Sequence, residues 1–349
     1  MKTMFELNKI VRKNILNLKP YSSARDEYSG KEAVFLDANE NPFNTDYNRY
    51  PDPRQLELKN KIASLKKVDV SRIFLGNGSD EPIDLLFRVF CEPGKSNVII
   101  PDPTYGMYEV CADINDIQIK RISLTQNYEL DDQSMINAID ENTRLIFVCS
   151  PNNPTSNSFN KESVLKIIKS FTQGIVVLDE AYIDFSSGES LLPELNKYPN
   201  LVILQTFSKA WGLAGLRLGM AFASEEITEL LTKVKYPYNI NVLTQKVALE
   251  NINDIQQKNS WVKEIIGQRE WLKNEIAKLT FVNNILPSDT NFLMVKVEKA
   301  RDLYDFLINR KIIVRDRSKV NLCMGYLRIT VGTKKENIKL IKAMKEYKI

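Results

Sequence analysis

The sequence predicts an α/β fold in which a mostly parallel central sheet forms a large domain beside a smaller α+β domain. Three observations predict it. Short β-branched runs recur at 72–75, 97–100, 117–122, 145–149, 175–178, 201–205 and 218–222, alternating with helical patterns. That alternation implies parallel strands with helices on both faces. Beyond about residue 280 the pattern changes to strands near 292–297, 312–314 and 326–331, with helices near 300–309 and 335–347. With 349 residues, 43% of them hydrophobic, the chain has material for one large domain or two packed ones.

Taken in order, the first eighteen residues interleave charged and apolar groups at helical spacing, which predicts an amphipathic arm. No apolar core or small-residue cleavage site follows it, so it does not read as a secretory signal. Residues 37–54 are dense in Asn, Pro and Asp and predict loops. A helix over 55–67 precedes the first strand, and the alternating strands and helices run to about residue 224. Residues 241–279 carry few breakers, which predicts one long kinked helix or two helices. The longest apolar runs fall far short of the roughly eighteen residues of a membrane span. A soluble, cytoplasmic protein is expected, with no membrane partner.

The chain contains no histidine. That removes Ser-His-Asp and Cys-His catalysis, His-ligated metals and imidazole acid–base chemistry together. Proton transfer must fall to Lys, Tyr, Asp, Glu, Cys or a cofactor. Cys91, Cys111, Cys149 and Cys323 form no C-x-x-C pair, so they read as buried thiols in a reducing compartment. The net charge of +4 is dispersed, without a basic tract, which fits small anions better than nucleic acid.

Four segments carry chemistry. The first, 206–219, reads TFSKAWGLAGLRLG and places Lys209 just after a buried strand, between hydroxyls and a glycine-rich turn that ends at Arg217. These are the parts of a Schiff base beside a phosphate, since glycines admit close backbone approach and guanidinium offers a planar fork. The second is Asp179-Glu180-Ala181-Tyr182, at the carboxyl end of the run 175–178. A carboxylate there can keep a cationic ring nitrogen protonated, although an Asp capping the next helix has the same sequence appearance. The third, Ser150-Pro151-Asn152-Asn153-Pro154-Thr155, holds an amide between two prolines, as an ordinary turn also would. The fourth, Gly76-Asn77-Gly78-Ser79-Asp80-Glu81-Pro82, feeds a helix whose first N–H groups suit a phosphate. Glu81 stands where a dinucleotide fingerprint needs its third glycine, which weakens a dinucleotide-binding reading.

In this order the four segments resemble the fold-type I pyridoxal-phosphate aminotransferases. Asp37-Ala38-Asn39-Glu40-Asn41-Pro42, Arg49-Tyr50-Pro51, Pro103-Thr104-Tyr105-Gly106-Met107-Tyr108 and Leu327-Arg328-Ile329-Thr330-Val331-Gly332-Thr333 narrow the resemblance to the histidinol-phosphate aminotransferase subfamily. The resemblance implies pyridoxal 5'-phosphate as cofactor and transamination between L-histidinol phosphate and 2-oxoglutarate, a step of histidine biosynthesis. It also implies a homodimer and a division into an N-terminal arm with part of the small domain (1–46), a large cofactor-binding domain (47–264) and a small C-terminal domain (265–349).

Carried onto this chain, the resemblance makes Lys209 the lysine that bonds the cofactor and moves the proton. Asp179 faces the pyridine nitrogen, Asn153 and Tyr182 bond the ring oxygen, and Tyr105 stacks on the ring. The cofactor phosphate is held by the backbone of Ser79 and Asp80, by Thr206, Ser208 and Arg217, and by Tyr50 from the partner subunit. Arg328 binds the glutamate carboxylate, Arg315 the phosphate of histidinol phosphate, and Asn39 lies near the substrate. One departure stands out: Ser156 replaces the glycine of Asn-Asn-Pro-Thr-Gly, and a locally adjusted turn without loss of activity is expected. Alternatives of the same fold are an aromatic aminotransferase and a phosphothreonine decarboxylase; one of a different class is a non-catalytic cofactor-binding regulator.

Overall fold

The computed structural model of the chain describes residues 5–21 and 34–348. Part of the predicted N-terminal arm, residues 1–4 and 22–33, lies outside the described residues. The rest of the arm forms two short helices, α1 (Leu7–Ile10) and α2 (Lys13–Asn17), which bury Ile10, Val11 and Ile15. Residues 34–55 form no helix or strand, as their Asn, Pro and Asp content predicts. Then α3 (Leu56–Lys66) leads into β1 (Ile73–Asn77), α4 (Asp80–Phe90), β2 (Asn97–Asp102), α5 (Met107–Ile114), β3 (Gln118–Ser123), α6 (Asp132–Asn137) and β4 (Thr143–Cys149). The same alternation continues through α7 (Lys161–Ser170), β5 (Ile175–Asp179), β6 (Leu201–Thr206), β7 (Leu218–Phe222) and α8 (Glu225–Val234).

These seven strands form one sheet in the order β1-β7-β6-β5-β4-β2-β3. The sheet is mostly parallel: only β7 runs against its neighbours β1 and β6. Strands β5, β6 and β7 are buried along their whole length, which is why they read as continuous apolar runs without alternation. By contrast β3 closes one edge and exposes Gln118, Arg121 and Ser123, polar groups that discourage pairing with another sheet.

The segment 241–279 is two helices, α9 (Val242–Ile252) and α10 (Ile255–Ile276), separated where the Asp254 carboxylate accepts the Gln257 N–H and restarts the helix. Beyond them β8 (Val282–Ile285), β9 (Phe292–Val297), α11 (Ala300–Asn309), β10 (Arg315–Asp316), β11 (Tyr326–Thr330) and α12 (Lys334–Glu346) complete the chain. The four strands form an antiparallel sheet in the order β10-β11-β9-β8. Two expectations are corrected here. The strand expected at 312–314 is instead the two-residue β10, because Ile312 and Val314 turn into the helical core beside Leu307 and Leu340. Strand β8 was not anticipated, since Asn283 and Asn284 in its middle are polar and exposed.

The core of the large sheet lies on its two faces, and the small sheet packs on α10, α11 and α12 through Leu272, Leu303, Leu327 and Met344. A third cluster, Tyr182, Phe185, Phe292, Met294 and Tyr326, joins the two sheets. It sits beside the carboxyl ends of β4, β5 and β6, where an open parallel sheet receives its ligand.

Candidate active site

Each of the four sequence segments leaves the large sheet at a strand end, and together they enclose a cavity of about 400 Å³. Of the residues singled out from the sequence, Ser79, Asp80, Tyr105, Asn153, Asp179, Tyr182, Thr206, Ser208, Lys209, Arg217, Arg315 and Arg328 all line it. Asn39 and Tyr50 do not. They line a second, more open cavity of about 530 Å³, where the Tyr50 ring stacks on Tyr238 with centroids 4.4 Å apart.

Lys209 follows β6 and lies with its Nζ 5.5 Å from the centre of the Tyr182 ring. Its pKa is lowered, first by burial and then by Arg328 and Arg217, against the opposing pull of Asp179 and Asp80. The amine is thereby biased toward its neutral, nucleophilic form. Asp179 ends β5 and is 2% exposed; its carboxylate accepts the Tyr108 hydroxyl at 2.7 Å and the Ala181 N–H at 3.0 Å. Burial raises its pKa, and those two hydrogen bonds oppose the rise. A cation placed against it would favour the charged carboxylate further. Tyr108, fully buried and stacked on Phe147 at 4.6 Å, was not singled out from the sequence; a tyrosine three residues after Tyr105 has no mark that separates it from a core residue.

At the opposite end, the turn between β1 and α4 supplies an anion-binding donor set. The Ser79 side chain does not cap α4, and the first turn of that helix opens at the cavity. Gly78 adopts φ +73°, and a Cβ there would lie 2.5 Å from the Arg217 guanidinium, so only glycine lets that guanidinium lie over the turn. Arg217 Nη2 pairs with Asp80 Oδ2 at 3.1 Å, while the Tyr105 hydroxyl donates to Asp80 Oδ1 at 3.0 Å. Thr206 Oγ1 accepts the Ser208 N–H at 3.0 Å and fixes the start of the lysine turn.

Arg328 Nη1 donates to Asn153 Oδ1 at 2.5 Å, tying the small sheet to the β4 loop. Arg315 lies directly opposite Arg328 in the β10–β11 pair. The Asn153 loop keeps the left-handed backbone of its missing glycine: Ser156 has φ +70° and is fully buried. The expected adjustment of the turn does not occur. Instead Ser156 Oγ lies 2.9 Å from Pro287 O, and the Asp289 N–H donates to Ser156 O at 2.8 Å, so contacts with the β8–β9 connection hold the strained residue in place.

The donor set fits pyridoxal 5'-phosphate. Hydroxyls, helix N–H groups and Arg217 suit its phosphate, the buried Asp179 its ring nitrogen, and Lys209 its aldehyde. Cys149, Ala181, Ala214 and Arg317 line the same cavity without having been singled out. The Cys149 thiol is pushed far up by burial, which makes it a packing residue.

The family model described as aminotransferase class I and II matches residues 27–344. The chain is 54% identical over 346 residues to a histidinol-phosphate aminotransferase of Parabacteroides distasonis, covering 99% of this chain and all of that one. Among solved structures, the histidinol-phosphate aminotransferase from Clostridium acetobutylicum superposes with a TM-score of 0.79 at 25% identity, covering 86% of this chain and 90% of that one. The Sinorhizobium meliloti histidinol-phosphate aminotransferase in complex with pyridoxal 5'-phosphate shares the fold, with a TM-score of 0.80 at 23% identity over 86% of this chain and 83% of that one.

Proposed function

The chain belongs to the class I and II aminotransferase family, and on that premise we propose that it transfers the amino group between L-histidinol phosphate and 2-oxoglutarate, in histidine biosynthesis. The observation that carries this reading is one cavity holding Lys209, Asp179 and a cluster of arginines, in a chain 54% identical to a histidinol-phosphate aminotransferase. Pyridoxal phosphate, when bound, supplies the carbonyl carbon that takes the amine and the ring that accepts electron density from the substrate's α-carbon.

The residues divide the remaining work. Lys209 would hold the cofactor through its Nζ and would act as the base that takes the proton from the substrate's α-carbon and gives it up two bonds along, on the far side of the amino nitrogen. Asp179 holds a proton on the ring nitrogen by opposite charge, and the Tyr108 hydroxyl fixes the carboxylate that does so. Asn153 and Tyr182 donate to the ring oxygen, and Tyr105 covers one face of the ring. The backbone of Ser79 and Asp80, with Thr206, Ser208 and Arg217, holds the phosphate. Arg328 takes the carboxylate of glutamate and Arg315 the phosphate of histidinol phosphate, both groups suited to a planar fork.

Tyr50 completes the phosphate site of a second copy of the chain, which makes the active form a homodimer. Support comes from its position in an open cavity apart from Lys209, lined also by the exposed Tyr47 and Leu243. Asn39, beside it, serves the substrate from the same side. The large domain spans 47–264 and the small one 265–349, with 1–46 contributing to the latter. The cytoplasm is the place of action, which four buried free thiols favour, and no described helix is long and apolar enough to cross a membrane.

Steady-state assay of the purified, cofactor-loaded protein tests the reading. With L-histidinol phosphate and 2-oxoglutarate, glutamate is expected to form at a rate that L-phosphothreonine and aromatic amino acids do not match. Carbon dioxide release from L-phosphothreonine without glutamate formation would contradict it in favour of a decarboxylase.

A further inference from the structure

Arg317 is absorbed by none of the roles above, yet it lines the same cavity. Its position follows from strand geometry. Arg315 is paired with Arg328 across β10–β11, and the Arg317 N–H donates to Tyr326 O at 2.9 Å, so the pairing continues beyond β10. Side chains alternate along an extended strand, which puts Arg317 on the same face as Arg315, with Asp316 on the other. Asp316 is occupied there: its Oδ1 accepts the N–H and hydroxyl of Ser318 at 2.8 and 2.6 Å. Three guanidinium groups therefore share one wall of the cavity.

Among the described residues, no carboxylate lining the cavity is paired with them. Asp80 is engaged by Arg217 and Tyr105, and Asp179 by Tyr108 and the Ala181 N–H. Arg317 is half-buried whereas Arg315 is exposed, and its Nε is buried without a hydrogen-bond partner. Burial first, and then Arg328 and Arg315, push its pKa down to about 10. An orphaned buried donor in a cluster of cations needs an anionic acceptor from outside the chain.

The two amino donors differ in what they offer such a wall. A carboxylate carries one charge on two oxygens, which a single arginine can fork. A phosphate monoester carries close to two charges on three oxygens and engages more than one guanidinium. We propose that Arg317 joins Arg315 in binding the phosphate of the phosphorylated amino donor, with its Nε–H among the donors, and so sets the preference for a phosphate ester over a carboxylate amino acid. The inference rests on the reading of L-histidinol phosphate as substrate.

The test uses the cofactor-loaded enzyme and follows each half-reaction separately, with L-histidinol phosphate and with L-glutamate. Arg317→Gln is expected to lower kcat/KM for L-histidinol phosphate about 10- to 100-fold, mainly through KM, while the value for glutamate stays within about threefold. Retained glutamate turnover shows that the variant is folded. Inorganic phosphate, as a competitor of the glutamate reaction, is expected to inhibit the wild type more tightly than the variant. Equal losses on both donors, or unchanged inhibition by phosphate, would overturn the inference alone. A wild type that reacts with glutamate but leaves L-histidinol phosphate untouched would overturn the functional reading and this inference with it.

Discussion

Asp179 illustrates how a single residue serves chemistry at a cost in stability. Burial raises its pKa above the unfolded value, so its contribution to folding is fully present below about pH 3.9 and is lost as pH rises through the folded pKa. With the cofactor removed, Asp179→Asn is therefore expected to gain stability relative to the wild type as pH rises above about 3.9. Urea denaturation at a series of pH values upward from there checks this, and a gap that does not change with pH contradicts it. Ser156 shows a different compromise. A left-handed backbone costs an L-residue roughly 1 kcal/mol or more, and a hydrogen bond such as that from Ser156 Oγ to Pro287 O returns about 1 kcal/mol. Ser156→Ala keeps the strain and loses the bond, so it is expected to be less stable than Ser156→Gly by about 1 kcal/mol in the same measurement. The cavity residues most legible in the sequence were those fixed within short motifs at strand ends: Lys209, Asp179, Asn153 and Arg217. Tyr108 and Arg317 were not, because a buried tyrosine resembles core and an arginine near a strand end resembles solvated surface until the fold sets the one against the Asp179 carboxylate and the other in the cavity wall.

At the scale of elements, the strand ends matter more than the strands. The close crossing of β7 over the turn that opens α4 depends on Gly219, where a Cβ would fall 2.3 Å from both Gly78 C and Ser79 N. Gly219→Ala must displace the backbone of that turn, the proposed phosphate cradle. It is expected to cost about 1–3 kcal/mol of stability and to weaken cofactor binding about tenfold or more, which fluorescence titration of the cofactor-free protein would measure. Unchanged affinity would mean that the cradle tolerates the shift and that Arg217 and the hydroxyls carry the binding. The strands of the large sheet were legible because burial on both faces demands uninterrupted apolar runs. The edges of the small sheet were not. In β8 and β10 the chain pairs for four and two residues, and their polar, partly exposed side chains leave no period for a sequence reading to find.

For the whole molecule, Lys209 and Tyr50 stand in separate cavities of one subunit, and the proposed dimer brings Tyr50 of one copy to Lys209 of the other. Lys209→Ala and Tyr50→Ala should each be poorly active alone. Mixed under conditions that exchange subunits, they should regain activity, because a heterodimer then holds one site with both residues intact; no recovery on demonstrated exchange would place both residues in one subunit's site. The two-sheet architecture followed from the change of pattern near residue 280, but the way Arg328 crosses from the small sheet to Asn153 of the large one is a tertiary fact with no local signature. The central claim, that Lys209 works in this cavity on L-histidinol phosphate, is tested most directly by a single turnover. The cofactor-loaded protein is mixed with L-histidinol phosphate while the visible absorbance of the bound cofactor is followed, and 2-oxoglutarate is then added. Rapid loss of the absorbance in the wild type, its return with 2-oxoglutarate, and neither change in Lys209→Ala are expected. A wild type whose absorbance is untouched by L-histidinol phosphate, or a Lys209→Ala variant that cycles as fast as the wild type, would contradict it.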